Sequence, residues 1–298
     1  MPLALAELPT PRLPLLITGI TGVAGYNAFH YFRDRYPGQV IGTRPRRTWR
    51  LTGPGVVVLD AEDGDGMRDL FRAYRFGSVL NAVGNCALKS CELDPTMART
   101  VNVASAASVV AGARAHGARL VHLSSDLVFS GKGAGGYVES DPVDPVTVYG
   151  RTMVQGEAII RDGDPSAAVL RISLPMGVSF NGHAGAIDWI QSRFRAGRPA
   201  TLYFDEVRSC AYTDDLNRAF ERFLAGDEAG PLPPRAGNVS MDGAKLAVPF
   251  GGSPFRAWPV GDDLWPTDRE WHRRREPGEE GSPRRIAERL YRYPDEAR

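Results

Sequence analysis

The sequence predicts an α/β fold built on a doubly wound parallel sheet, and three observations predict it. Leu15, Leu16 and Ile17 form a short apolar run that ends at Thr18 and Gly19. Gly19, Gly22 and Gly25 then fall at G-x-x-G-x-x-G spacing, ahead of a helical stretch over residues 24–36. Short apolar runs go on alternating with longer helical stretches through the first half of the chain, as strands joined by crossover helices do.

The glycine run has a physical reading. Gly19 permits a tight turn, Gly22 lets backbone N–H groups approach a pyrophosphate, and Gly25 lets the helix lie close to the strand. The positive end of that helix faces the anion. A strand before and a helix after make dinucleotide binding the expectation.

The other elements follow in order. Residues 39–43, QVIGT, read as a second strand. Folds that select NAD often place an acid near the end of this strand to hold the ribose 2′-hydroxyl. Here the strand runs into Arg44, Pro45, Arg46 and Arg47. Guanidinium groups suit a 2′-phosphate, so NADP is expected ahead of NAD, with Arg44 as a contact. Residues 56–59 form a third strand ending at Asp60, 65–74 a helix, and 78–83 a fourth strand followed by Gly84 and Asn85. Residues 95–116 read as one long helix whose alanines let it lie close to a sheet. A fifth strand covers 119–124, with His122 read as a packed core residue. A helix over 145–161 and a sixth strand over 168–172 complete the regular part.

Beyond Ser173 the pattern loosens. Residues 184–196 and 214–225 read as helices separated by 202–212, and 226–235 as a turn-rich connection. A terminal helix is expected over 282–291, with Ser282 as its cap and Pro283 in its first turn. The four arginines between 269 and 275 read as a solvated surface, with a grip on a substrate pyrophosphate as the sharper alternative. The expected division is a nucleotide-binding domain over 1–173 and a mainly substrate-binding lobe over 174–298, some of whose segments return to the first domain.

Composition narrows the function classes. The 298 residues carry a formal net charge of +1, which gives no general drive toward nucleic acid or anionic membrane. Hydrophobic residues make up 43% and charged residues 24%, as in a globular protein with a substantial core. No apolar run approaches the length of a membrane span. The N-terminal residues lack a basic region and a long apolar segment, so no signal peptide is read there. Cys86, Cys91 and Cys210 fit no zinc spacing and read as reduced thiols of a cytoplasmic protein.

The chemistry is expected near residues 123–157. Ser124, Ser125 and Asp126 stand at the carboxyl end of the fifth strand, the edge where open α/β sheets place their ligands. Tyr149 stands at the start of the next helix. A hydroxyl at the strand end and a phenol on the neighbouring helix can converge on one carbonyl. The phenol then moves a proton while a nicotinamide exchanges hydride with carbon. The plain alternatives are a strand-end cap for Ser125 and a half-buried helix residue for Tyr149.

Several segments together carry a family resemblance: ITGITGVAG, VLNAVG with CELDP, LSSDLVFSG, YVESDPVDPVTVYGRTMVQGE, LRISLPMG and DEVRSCAYTDDL. From about residue 13 to 246 the chain resembles the extended short-chain dehydrogenase/reductase superfamily, and within it the dTDP-4-dehydrorhamnose reductase family. The resemblance implies a Rossmann-type sheet with a small C-terminal substrate lobe, and a reductase of a nucleotide-linked 4-keto sugar. It implies a pyrophosphate contacted by Gly22, Val23 and Ala24 and an adenine near Asp60, with Gly19, Thr21, Gly25 and Ala61 as further cofactor-binding positions. Ala82, Val83 and Gly84 would line the cofactor. Ser125 would polarise the substrate carbonyl, with Asp126 and Asn85 on the substrate side. Tyr149 would be the general acid and a cofactor contact, and Arg208 would face the sugar-nucleotide lobe. Homodimers are common in the superfamily, and no residue here requires one.

One departure bears on all of this. The family pattern is Tyr-x-x-x-Lys, and this chain reads Tyr149-Gly150-Arg151-Thr152-Met153. The lysine binds the nicotinamide ribose and favours the tyrosinate by its charge; methionine supplies neither charge nor donor. Arg151 lies about 200° around the helix from Tyr149. Lys89, Lys132 and Arg208 are cations on other segments. Two alternatives therefore stand beside a reductase: a related epimerase or dehydratase with altered chemistry, and a cofactor-binding regulatory subunit without turnover. A pocket with aromatic and basic residues in the C-terminal lobe, around Trp258, Trp265 and Trp271, would favour a sugar-nucleotide enzyme.

Overall fold

A computed structural model describes residues 9–132, 135–182, 185–198, 207–226 and 238–239. In chain order its elements begin with β1 (Leu15–Thr18), α1 (Val23–Arg35), β2 (Val40–Arg44), β3 (Val56–Val58), α2 (Gly64–Tyr74) and β4 (Ser78–Asn81). Next come α3 (Leu88–Leu93), α4 (Pro95–Arg99), a π-helical turn (Thr100–Ala104), α5 (Ser105–His116), β5 (Arg119–Ser125) and a 3-10 turn (Asp126–Val128). The remainder is α6 (Val148–Gly163), β6 (Ala168–Ile172), β7 (Leu174–Met176), α7 (Ala186–Arg195), β8 (Val207–Arg208), β9 (Cys210–Tyr212), α8 (Thr213–Ala225) and β10 (Asn238–Val239). The expected terminal helix, the arginines at 269–275 and Trp258, Trp265 and Trp271 lie outside the described residues.

Six strands form one parallel sheet in the order β3-β2-β1-β4-β5-β6. Leu15 on β1 stands opposite Val40 on one side and Ser78 on the other, so the chain order reverses at β1. Crossovers of one hand laid outward from a central strand produce this doubly wound, Rossmann-like arrangement. The reversal leaves a crevice beyond the carboxyl ends of β1 and β4, where Gly19 and Val83 emerge.

Side chains alternate across the strands and divide the core between two faces. Leu15, Ile17, Leu80, Val121 and Leu170 pack against α1 and α8. Leu16, Val79, Leu120 and Val169 pack against α2, α5 and α6. The chain after residue 173 therefore returns to the sheet. Phe220 and Phe223 of α8 are buried with Phe29 and Phe32 of α1. Glu221 of α8, fully buried, accepts from Tyr31 at 2.7 Å, Tyr36 at 2.5 Å and Arg35 at 3.0 Å. The short strands β7 and β9 pair in parallel outside the central sheet, as do β8 and β10.

Two local expectations need correction. The fourth strand stops at Asn81, because the Asn81 side chain turns back to accept from the Val83 N–H at 3.4 Å. The long helix at 95–116 is interrupted by the π-helical turn at Thr100–Ala104. The helix α3 lies in a stretch to which the sequence pattern assigns no element: it spans only Leu88–Leu93, and its one buried residue is Cys91, so it carries almost no apolar periodicity.

Candidate active site

The glycine turn has the shape its spacing demands. Gly19 adopts φ +69°, and a Cβ there would lie 2.5 Å from the Ala82 carbonyl oxygen. A Cβ at Gly25 would lie 2.4 Å from the Gly19 oxygen, so β1, the loop after β4 and α1 meet backbone to backbone. Gly22 is different: it is exposed, and a Cβ there would meet nothing closer than 3.8 Å. Gly22 is also the N-cap of α1, with no side-chain cap and no acid in the first turn. Thr21 and Ala24 are half-buried beside it, while Val23 packs inward. The first N–H groups of the helix are left facing the crevice, the arrangement that holds an anion.

Around this turn the other expected cofactor positions fall at the same sheet edge. Ala82 and Val83 are half-buried and Gly84 is exposed. Asp60 accepts from the Arg46 backbone N–H at 3.2 Å and pairs with the Arg46 side chain at 3.4 Å, and Ala61 is buried behind it. Arg44 does not reach outward. It is only 6% exposed, and its guanidinium donates to the carbonyls of Leu51 at 2.5 Å, Pro45 at 3.2 Å and Trp49 at 3.4 Å. The exposed guanidiniums at the end of β2 belong to Arg46, Arg47 and Arg50, the last of them 5.1 Å from the exposed Trp49 ring.

Three elements bring Tyr149 to Ser125. Thr147 caps α6 by accepting from the Gly150 N–H at 3.0 Å. Glu157, two turns further along α6 and fully buried, anchors that helix to the sheet. It accepts from Ser124 of β5 at 2.6 Å, and from Arg171 of β6 at 2.6 and 2.7 Å. Asn102, in the π-helical turn, donates to Thr152 at 2.8 Å and accepts from the Asn85 N–H at 2.7 Å. The wider turn places the Asn102 side chain between α6 and the loop after β4, which suits the frequent use of π-turns at functional sites. The Asn85 side chain itself contacts the Met97 sulfur at 3.0 Å and accepts from the Ala87 N–H at 3.1 Å.

The result is a buried polar group at the carboxyl edge of β5. The Tyr149 phenol lies beside the Ser125 hydroxyl, which pulls its pKa down against burial. Ser125 accepts from the Leu127 N–H at 3.1 Å and donates to Asp126 at 3.0 Å. Asp126 is completely buried and also accepts from Ser173 and from the Nε and Nη2 of Arg208, at 2.7 and 2.8 Å. Burial raises the Asp126 carboxyl above its ordinary value, against the pull of Arg208 and the two serines. Burial also raises the Tyr149 phenol, reinforced by Cys86 and Asp126 and opposed by the Ser125 hydroxyl and by Arg208. A neutral phenol in hydrogen-bond reach of a serine hydroxyl can donate a proton to an oxygen placed between them.

Of the three outlying cations, Lys89 is exposed on α3 and Lys132 is exposed beside Asp144; Arg208 is the one that comes to Tyr149. Met153 is 3% exposed and packs with Cys91, Ala98, Val128 and Phe129. His122 is a core residue: Asn81, itself held by Thr18 at 2.7 Å, donates to its Nδ1 at 2.9 Å. Ser173 and Cys86 belong to the site and were missed. Ser173 carried no signal beyond closing a strand, and Cys86 stands in a loop whose path no local pattern gives.

Residues 13–231 match the family model described as RmlD substrate binding domain. The dTDP-4-dehydrorhamnose reductase of Streptomyces griseus is 32% identical over 54% of this chain and 49% of its own length. Methionine adenosyltransferase 2 subunit beta of Danio rerio is 25% identical over 71% of this chain and 64% of its own. The chain spans less than two thirds of the length of the first curated relatives it matches. Among solved structures, the dTDP-4-dehydrorhamnose reductase of Bacillus anthracis in complex with NADP superposes with a TM-score of 0.62 at 20% identity, over 73% of each chain.

Proposed function

Because the chain belongs to the RmlD substrate-binding-domain family, we propose that it is an NADP-dependent reductase of a nucleotide-linked 4-keto sugar. The observation that carries this reading is the convergence of Tyr149, at the start of α6, on Ser125 at the carboxyl edge of β5, where the first turn of the helix touches the turn after the strand. In this reading the two hydroxyls grip the substrate carbonyl oxygen, and Tyr149 passes its proton to that oxygen as the carbon is reduced. A bound nicotinamide dinucleotide supplies the hydride.

This chain's residues divide the remaining tasks. Gly19, Thr21, Gly22, Val23, Ala24 and Gly25 hold the pyrophosphate on the uncapped end of α1. Asp60 and Ala61 border the adenine, and Ala82, Val83 and Gly84 line the nicotinamide half. Arg46 and Arg47 stand for the 2′-phosphate in place of the inward-turned Arg44. NADP is favoured over NAD on those two guanidiniums. Asn85 and Arg208 border the sugar nucleotide, with the buried Asp126 behind Arg208, residues 1–173 holding the cofactor and 174–298 mainly covering the substrate. The near-zero net charge and the free thiols fit a cytoplasmic enzyme with no nucleic-acid partner. Among the described residues no helix is long and apolar enough to cross a membrane.

Met153 favours a second reading, a dinucleotide-binding regulatory subunit without turnover. One assay separates the two: NADPH oxidation with a dTDP-4-keto-6-deoxyhexose, run beside Tyr149→Phe. The reductase reading expects oxidation that falls by roughly a hundredfold or more in the variant. NADPH binding by titration with no oxidation of it sides with the regulatory reading.

A further inference from the structure

One helical turn past Tyr149, on the same face of α6, stands an uncharged residue. Met153 fills that place and is enclosed by apolar neighbours. The charged and titratable groups that bear on Tyr149 come from other segments: Cys86 after β4, Asp126 after β5 and Arg208 on β8. Cys91, on α3, is the further titratable group of the same cluster. Desolvation raises both thiols, so both are neutral near pH 7. Among the described residues, one anion and one cation remain, Asp126 and Arg208.

Their geometry is specific. Arg208 takes both Asp126 oxygens, Nε to Oδ2 at 2.7 Å and Nη2 to Oδ1 at 2.8 Å. The same Oδ1 accepts the Ser125 hydroxyl at 3.0 Å. With its own proton directed at Asp126, Ser125 stands beside the Tyr149 phenol and lowers its pKa. The chain of contacts runs Tyr149, Ser125, Asp126, Arg208, and it crosses from α6 through the end of β5 to β8.

We propose that Arg208 is the cation that serves Tyr149 in place of a lysine at position 153, acting from β8 through Asp126 and Ser125. Arg208 is a positioning residue. It cancels the Asp126 charge, which alone would oppose proton release from Tyr149. It also fixes the carboxylate, and so the serine hydroxyl that meets the phenol. Because β8 pairs with β10 and not with the central sheet, the proton-handling group is complete only with that segment in place. The inference rests on Tyr149 being the group that handles the proton.

The test uses the full chain with difluorotyrosine at position 149, titrated by fluorine NMR without substrate. Arg208→Gln is expected to raise the pKa of that ring by about one unit. Asp126→Asn removes the anion and leaves the cation, and is expected to lower it by about one unit. Met153→Lys in the Arg208→Gln background is expected to bring it back down. Opposite shifts from the two halves of one ion pair do not follow from a merely structural contact. Shifts of the same sign, or no shift in either single variant, overturn the proposal, and those two variants decide it even where the Met153→Lys chain does not fold. NADPH oxidation measured in parallel separates the two readings. Opposite shifts in a protein without turnover leave the charge assignment standing and overturn the reductase; turnover with an unmoved titration does the reverse.

Discussion

A Cβ on Gly150 would lie 2.1 Å from the carbonyl oxygen of Leu127. The first turn of α6 and the turn after β5 therefore touch backbone to backbone, next to the residue that carries the phenol. That contact is why Tyr149 and Ser125, distant in the chain, come to stand side by side.

Gly150→Ala is expected to cost about 1–3 kcal/mol of stability, since neither backbone can yield without moving its element. The same change displaces Tyr149, so turnover falls by more than the loss of folded protein explains. Denaturant melts and NADPH oxidation on the same preparation check both parts. A variant as stable and as active as the parent would show that the contact does not position Tyr149.

Gly22→Ala is the opposite case. The protein leaves room for the added methyl, so the melting temperature is expected to stay unchanged. The methyl instead stands where the pyrophosphate must approach, and NADPH affinity is expected to fall about tenfold through weakened hydrogen bonds to charged oxygens. Fluorescence titration with NADPH measures it.

The arginines after β2 divide by direction. Arg46→Ala with Arg47→Ala is expected to weaken NADPH binding about tenfold through lost phosphate contacts, and to leave NADH binding unchanged. Arg44→Ala is expected to lower the melting temperature, because three loop carbonyls lose their donor. Equal losses for the two dinucleotides in the double variant would show that neither guanidinium meets a 2′-phosphate.

His122 makes stability depend on pH. Burial lowers its pKa from 6.5 to about 4, against the pull of Glu157. The folded state then binds fewer protons than the unfolded chain between those values. Its contribution is complete above pH 6.5 and is lost as pH falls toward 4, by up to about 3 kcal/mol. Urea midpoints taken across that window should fall more steeply for the parent chain than for His122→Gln. Parallel curves would mean that the imidazole titrates alike in both states.

Glu221 tests the return of the later chain to the sheet. It is buried under Tyr31, Tyr36 and Arg35 of the α1 region. Glu221→Ala strands those donors and removes the tie between α1 and α8, so it is expected to cost about 3–5 kcal/mol. A loss below about 1 kcal/mol in thermal or urea melts would mean that the tie adds little to the apolar packing between these helices.

The sequence by itself determined the doubly wound sheet and the turn at its head. Apolar runs of strand length, helical stretches between them and glycines at fixed offsets are local signals, and Leu15–Thr18 and Val23–Arg35 follow from them. It also placed Ser125 at a strand end and Tyr149 at a helix start, and showed Met153 where the family pattern has lysine. Tertiary structure alone decided what those residues meet. Arg44 turns inward because the loop it precedes folds over its guanidinium. Ser173 and Arg208 join Asp126 because β6 and β8, far apart in the chain, end beside β5. A buried carboxylate takes its partners from whatever donors the packing brings within 3 Å, and no spacing along a chain encodes that meeting.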